Sequence, residues 1–230
     1  MVIPLSDPEA EVFLLSKLPS FPNPHLEDRT KLEAVIQPNG DAEVVFTMWL
    51  QDAQAARFNE NLQSVPADRR DMVFARLVSG LFPGAEDVRG EAIQHDKSLE
   101  VRFLMDLPGA CLETNGTLEC RGLNSSSALA PVLASLSERR QPLVLQLPVL
   151  RREETTIQPP PGWKARRSPR RLSASWGQVN ETIEKSGGQH RSTLMLEIPA
   201  VSVAPEDYQE FARFCRAVDE LVSRPPRFER

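Results

Sequence analysis

From Ala42 to Leu50 every second residue is apolar: Ala42, Val44, Phe46, Met48 and Leu50. Period two over nine residues fits a half-buried strand and no helix. The chain must therefore build a sheet and cover one of its faces. Upstream, Leu32, Ala34 and Ile36 alternate in the same way before Gln37-Pro-Asn-Gly40, which supplies the positive φ of a tight hairpin. Strands are predicted again over 87–93 and 99–107, the second alternating through Leu99, Val101, Phe103 and Met105.

Between these strands the period changes. Residues 52–63 read as a helix through Ala55, Ala56, Phe58 and Leu62. Pro66 opens a second helix with an apolar stripe of Met72, Val73, Leu77, Val78 and Leu81, ended by Pro83-Gly84. The first 28 residues form a lead-in arm punctuated by prolines, with room for a short helix only over 9–18. Residues 29–123 are read as one α+β domain and the Ser/Ala-rich stretch 124–140 as a connector. Residues 141–224 are read as a β-rich domain with strands over 143–147, 151–157, 163–167, 172–183 and 189–199. A last helix starts at Pro205, with Tyr208, Phe211, Cys215, Val218 and Val222 on one side, and stops before Pro225-Pro226. The expected fold class is thus α+β. An N-terminal antiparallel sheet carries two helices, and a β-sandwich-like half follows, capped by the C-terminal helix.

Cys111-Leu-Glu-Thr-Asn115-Gly116-Thr-Leu-Glu-Cys120 is nearly symmetric about Asn-Gly. A type I′ turn at Asn115-Gly116 pairs 114 with 117, 113 with 118, 112 with 119 and 111 with 120. The last pair falls in a non-hydrogen-bonded site, where Cα atoms lie about 4.5 Å apart. That suits a cross-strand disulfide, which would place the chain in an oxidising compartment. The alternative is two reduced, inert thiols. The nine-residue separation matches neither a redox nor a zinc pair.

Other chemistry is thin. Net charge is −5, so the whole molecule has no electrostatic bias toward nucleic acid. No apolar run is long enough for a transmembrane helix. No nucleotide-binding glycine motif and no G-x-S-x-G elbow occurs, and no cofactor or metal site is expected. His25, His95 and His190 read as solvated turn residues, and Cys215 as core. The basic cluster Lys164, Arg166, Arg167, Arg170 and Arg171, beside Trp163 and with Arg151 and Arg152 on a neighbouring strand, is the one candidate binding patch. It fits an anionic glycan or lipid surface. Arginines that guard a strand edge are the more ordinary reading of the same cluster.

Three stretches carry a family likeness: Gln37-Pro-Asn-Gly-Asp-Ala-Glu-Val through Gln54-Ala-Ala-Arg57; Leu81-Phe-Pro-Gly-Ala85; and Arg140-Gln-Pro-Leu143 through Pro160-Pro-Gly-Trp163 to Val203-Ala-Pro-Glu-Asp-Tyr208. In these the chain resembles the C-terminal, non-catalytic region of bacterial transglutaminase-like proteins, whose papain-like core is flanked by β-rich domains of unknown function. The core's Cys, His and Asp have no counterpart here, so the resemblance carries over no catalytic residue. It implies a partner protein, or an adjacent transglutaminase-like core, and an exported setting. The expected function is a non-catalytic accessory or scaffold module making protein–protein contacts. A binding module for an anionic glycan or lipid is the alternative, and a cysteine-dependent acyl transferase using Cys215 and His190 is a third. The place is extracytoplasmic if the chain belongs to a longer exported protein, and cytoplasmic if Met1 is the native start.

Overall fold

The first hairpin forms as its alternation dictates. Strand β1 (Glu27–Ile36) and strand β2 (Ala42–Gln51) pair antiparallel, with Ile36 opposite Ala42, Ala34 opposite Val44 and Leu32 opposite Phe46. Gly40 closes the turn at φ 90°, and a side chain there would run into the carbonyl of Cys111. The computed structural model describes residues 27–96, 98–124, 128–166, 168–186 and 188–230, with the side chains of residues 185 and 186 left aside. Residues 1–26 of the lead-in arm, with its helix over 9–18 and His25, and Arg167 of the basic patch lie outside the described residues.

The fold is mixed α+β, with a large sheet and, among the described residues, four α-helices. Strand β4 (Ser98–Leu107) pairs with β2 and with the edge strand β3 (Glu86–Gln94). On the other side of β1 the sheet continues through β8 (Val149–Gln158), β12 (Gln189–Ile198), β11 (Gly177–Ser186) and β10 (Arg171–Ala174). The order is β10-β11-β12-β8-β1-β2-β4-β3. Strands from both sides of the 124–140 stretch therefore share one eight-stranded sheet, joined where β8 runs parallel to β1 from Glu27 opposite Leu150 to Val35 opposite Gln158. Alternation reports that a strand has a buried face. It does not report which strand lies beside it, so this union left no local signal.

One face of the sheet is covered, in two patches. Helices α1 (Asp52–Gln63) and α2 (Arg70–Leu81) close a core around Leu32, Val44, Phe46, Val101 and Phe103. The C-terminal helix, numbered α4 (Tyr208–Val222) after the short α3 (Ala130–Leu133), packs Phe211, Cys215 and Val218 onto Val179, Leu194, Leu196 and Ile198. Helix α2 is rotated from the predicted stripe. Phe74 and Val78 are buried while Met72 is exposed, because the Phe74 ring lies where a side chain at Gly90 would sit.

Two strand boundaries also differ from expectation. The strand predicted over 172–183 is a hairpin, with Ser175 and Trp176 turning between β10 and β11. Neither turn residue has positive φ, so the turn lacks the Gly or Asn that advertises a hairpin. A further strand, β14 (Arg227–Glu229), follows Pro225-Pro226, and it pairs with β6 (Thr117–Glu119) and β9 (Lys164–Ala165).

The cysteine hairpin has the predicted register: Thr114 faces Thr117, Glu113 faces Leu118 and Leu112 faces Glu119. Asn115 and Gly116 take φ of 52° and 75°. Cys111 and Cys120 are bonded, with Cα atoms 3.9 Å apart. The Cys111 N–H donates to Gly40 O at 2.9 Å and the Cys120 N–H to Pro226 O at 3.0 Å, so the bond ties the first hairpin to the C-terminal segment. A thiol titration of the denatured, unreduced protein is expected to find one free thiol, that of Cys215. Three would remove the disulfide.

Candidate binding cleft

Cross-strand register places unlike residues in the gap between the two core patches. Leu32 lies opposite Thr155, Thr155 opposite Ser192 and Ser192 opposite Ile183; one row along, Ile157 faces His190. Since residues two apart share a face, Arg151, Glu153, Thr155, His190, Ser192 and Glu181 all point to the covered side. Arg151, Glu181, His190 and Ser192 are buried. A polar seam therefore crosses a face that is otherwise apolar.

Glu181 is the anchor of the seam and is 2% exposed. Arg170 grips it with Nη2 on Oε1 at 2.8 Å and Nε on Oε2 at 3.0 Å, and donates its backbone N–H to Oε2 at 3.0 Å. The remaining Arg170 nitrogen, Nη1, donates to Val222 O at the end of α4, at 3.0 Å. Burial works to raise the Glu181 carboxyl, but the bonds and charge of Arg170 outweigh it and hold the group below its usual range.

His190 departs from the solvated turn residue expected of it. It is 6% exposed, because it lies within β12, which starts at Gln189 as predicted, and that strand's register sets the ring inward opposite Ile157, edge-on to Phe228 at 6.4 Å. Its Nε2 lies 3.2 Å from Ser192 Oγ, and its Nδ1 is buried with no hydrogen-bond partner. An unmet polar atom of this kind costs about 1–3 kcal/mol. Burial pushes the imidazole below its usual value, against the pull of the Glu181 carboxylate.

Over these groups lies a cleft of about 420 Å³. Arg166, Arg170, Glu181, His190, Arg224 and Arg227 line it, between walls of Pro169, Pro225 and Pro226. The guanidiniums of the three rim arginines pair with carboxylates near the surface. Arg166 lies 3.5 Å from Glu229, Arg224 3.9 Å from Glu220 and Arg227 2.8 Å from Glu119, contacts that solvent and salt screen.

The predicted patch is thus divided. Arg166 and Arg170 meet in the cleft, Lys164 and Arg171 are exposed, and Arg152 pairs with Glu154 at 2.9 Å. Trp163 is no stacking platform for a ligand: it is buried in the first core with the Arg230 guanidinium over its ring at 4.7 Å. Arg224, Arg227, Glu181 and Ser192 had not been singled out in the sequence. The signal for the inward pair was the run His190, Ser192, Leu194, Leu196, Ile198, which keeps period two into the core. Cys215 is sealed beneath α4, and burial with the nearby Asp219 pushes its thiol up to about 12. A thiol so held is not a nucleophile at neutral pH. A second concavity, of about 490 Å³, lies between α1 and the sheet over Phe46, Met48 and Leu81, and is mainly apolar. Among the described residues no group of three His, Cys, Asp or Glu side chains is placed to hold a metal ion, and no helix is long and apolar enough to cross a membrane.

Residues 122–225 match a family described as a domain of unknown function with solved structure, DUF3858. That stretch holds Arg166, Arg170, Glu181, His190, Ser192 and Arg224, while Arg227 and Phe228 come from beyond it. No curated protein matches the chain. Among solved structures, one named "putative protease" from Parabacteroides distasonis ATCC 8503 is 8% identical, over 89% of this chain and 99% of that one, with a TM-score of 0.36. A likeness at that level carries no argument about fold or chemistry.

Proposed function

We propose that this chain is a non-catalytic accessory module that holds an anionic group in the cleft over His190. The observation that carries the reading is the balance of charge there. Arg166, Arg170, Arg224 and Arg227 surround one carboxylate, Glu181, which Arg170 already neutralises. The three remaining guanidiniums have surface carboxylates that a ligand can displace, and Arg is suited to bidentate grip on carboxylate or phosphate. The ligand's oxygens could belong to an acidic glycan or to a lipid headgroup. The disulfide supports an extracytoplasmic place. The resemblance to regions that flank transglutaminase-like cores supplies a context in which such a module would hold a partner.

Arg224 and Arg166 test the reading, since their side chains are 63% and 56% exposed and carry little of the fold. Arg166→Glu with Arg224→Glu is expected to weaken binding at least about tenfold at low salt. The probes are polygalacturonate and phosphatidylglycerol vesicles, and whichever binds the parent protein names the source. Retained binding by the double variant, or no binding by the parent to either probe, overturns the proposal.

A further inference from the structure

Strand β3 is one end of the eight-stranded sheet, and among the described residues nothing pairs with its outer side. A bulge over Asp87 and Val88, with Asp87 at φ 49°, bends its start and leaves Arg89–Gln94 in regular register with β4. Gly90 and Ala92 lie opposite Phe103 and Val101 on the covered side, so Arg89 and Glu91 stand on the open face, one on each side of Gly90. A second copy of β3 laid antiparallel about Gly90 sets Arg89 of each chain opposite Glu91 of the other. Opposite charges directly across a strand pair favour it, and like charges oppose it. Glu91 already takes Arg102 of β4 at 2.9 Å, while Arg89 has no ion pair among the described residues. The added pairs therefore lengthen a charge ladder. At its centre glycine meets glycine, and no side chains collide.

Along the same edge α2 leaves an apolar flank unused. Phe74 fills the space at Gly90 and meets Phe103, and Phe82, just past the helix, meets Phe46 on β2. Val73, Leu77 and Gly80, spaced four and three apart, take the flank away from Phe82, which is the side beyond β3. Leu77 is 42% exposed, and a side chain at Gly80 would meet nothing. A twofold axis that pairs the two β3 strands stands perpendicular to the sheet. It keeps the covered sides of both copies together and brings these flanks face to face. We infer that the chain forms a twofold-symmetric dimer with a second copy of itself, the sheets joined edge to edge through β3 and α2 packed on α2. The patch is self-complementary, as such an interface requires. A short strand pair and one helix flank make a small contact, so the dimer is a weak one. The cleft lies toward β10, the opposite edge of the sheet, and dimerisation leaves it open.

Sedimentation equilibrium of the full chain at low salt should show the apparent mass rising from that of one chain toward two between about 10 μM and about 1 mM. Arg89→Glu and Glu91→Arg each set like charges across the axis and should weaken association at least about tenfold. Both residues are exposed, and thermal unfolding checks that the variants keep the parent's fold. Mixed in equal amounts, the two single variants should associate as the parent does, because each then meets opposite charges on the other. The double swap, Arg89→Glu with Glu91→Arg, should restore association by itself. Leu77→Arg should weaken the parent's dimer as well. A parent that stays monomeric to about 1 mM, or association that the single variants leave intact or that neither mixing nor the swap restores, overturns the inference. Neither result bears on the cleft, whose ligand is tested separately.

Discussion

Arg170→Ala is expected to destabilise the protein by about 3–5 kcal/mol at pH 7, measured by urea unfolding. The loss comes less from the missing contact than from what it leaves behind. Glu181 is 2% exposed and receives three hydrogen bonds from Arg170. The backbone bond survives the substitution, but a buried carboxylate without its counter-charge does not regain water. The Val222 carbonyl at the end of α4 loses a donor as well. Removing both charges should be far milder, so Arg170→Met with Glu181→Leu is expected to recover most of the loss.

The pH dependence separates charge from packing. In the parent protein the Glu181 carboxyl is lowered from 4.5, so its stabilisation is present above 4.5 and is lost as pH falls through the folded-state value. His190 is lowered from 6.5, so below 6.5 the unfolded chain takes up a proton first and the folded state loses ground. Both groups weaken the parent in acid. In Arg170→Ala the burial of Glu181 is unopposed and its carboxyl moves up instead, so protonation now relieves the fold. The stability gap between parent and variant should therefore narrow from pH 7 to pH 5. A gap that stays constant would mean that Arg170 acts through its hydrocarbon stem.

The same pair shows where sequence reading stops. The hairpins at Gly40 and at Asn115-Gly116 were legible because turn chemistry and alternation agree within ten residues. The disulfide followed from that register. Glu181 and Arg170, by contrast, lie in a polar stretch where a charged residue on a strand is ordinarily read as facing water. What turns Glu181 inward is its row in an eight-stranded sheet, set by pairings between strands far apart in the chain. The cleft is harder still, since one wall comes from 224–227, which spans the Pro-Pro step at which helix signals end. Helix α2 is a subtler case: the predicted stripe of Met72, Val73, Leu77, Val78 and Leu81 left out Phe74, whose ring fills the space that Gly90 leaves on the facing strand.

Phe228→Ala should have an effect of similar size, about 3–5 kcal/mol, seen as a fall in Tm of about 10 °C. Phe228 is fully buried although it stands third from the end of the chain. Its ring packs into the first core and meets His190 edge-on at 6.4 Å, while its strand pairs Phe228 with both Leu118 and Ala165. Phe228→Leu keeps most of the volume and should cost about 1 kcal/mol. The alanine variant also tests the cleft, because β14 carries Arg227 and the Arg227 carbonyl accepts the Arg166 N–H at 2.8 Å. Losing the anchor should loosen two rim arginines together and weaken anion binding even where the rest of the protein stays folded. If Phe228→Ala costs under about 1 kcal/mol, β14 is not fixed to the core in solution, and the cleft loses its C-terminal wall.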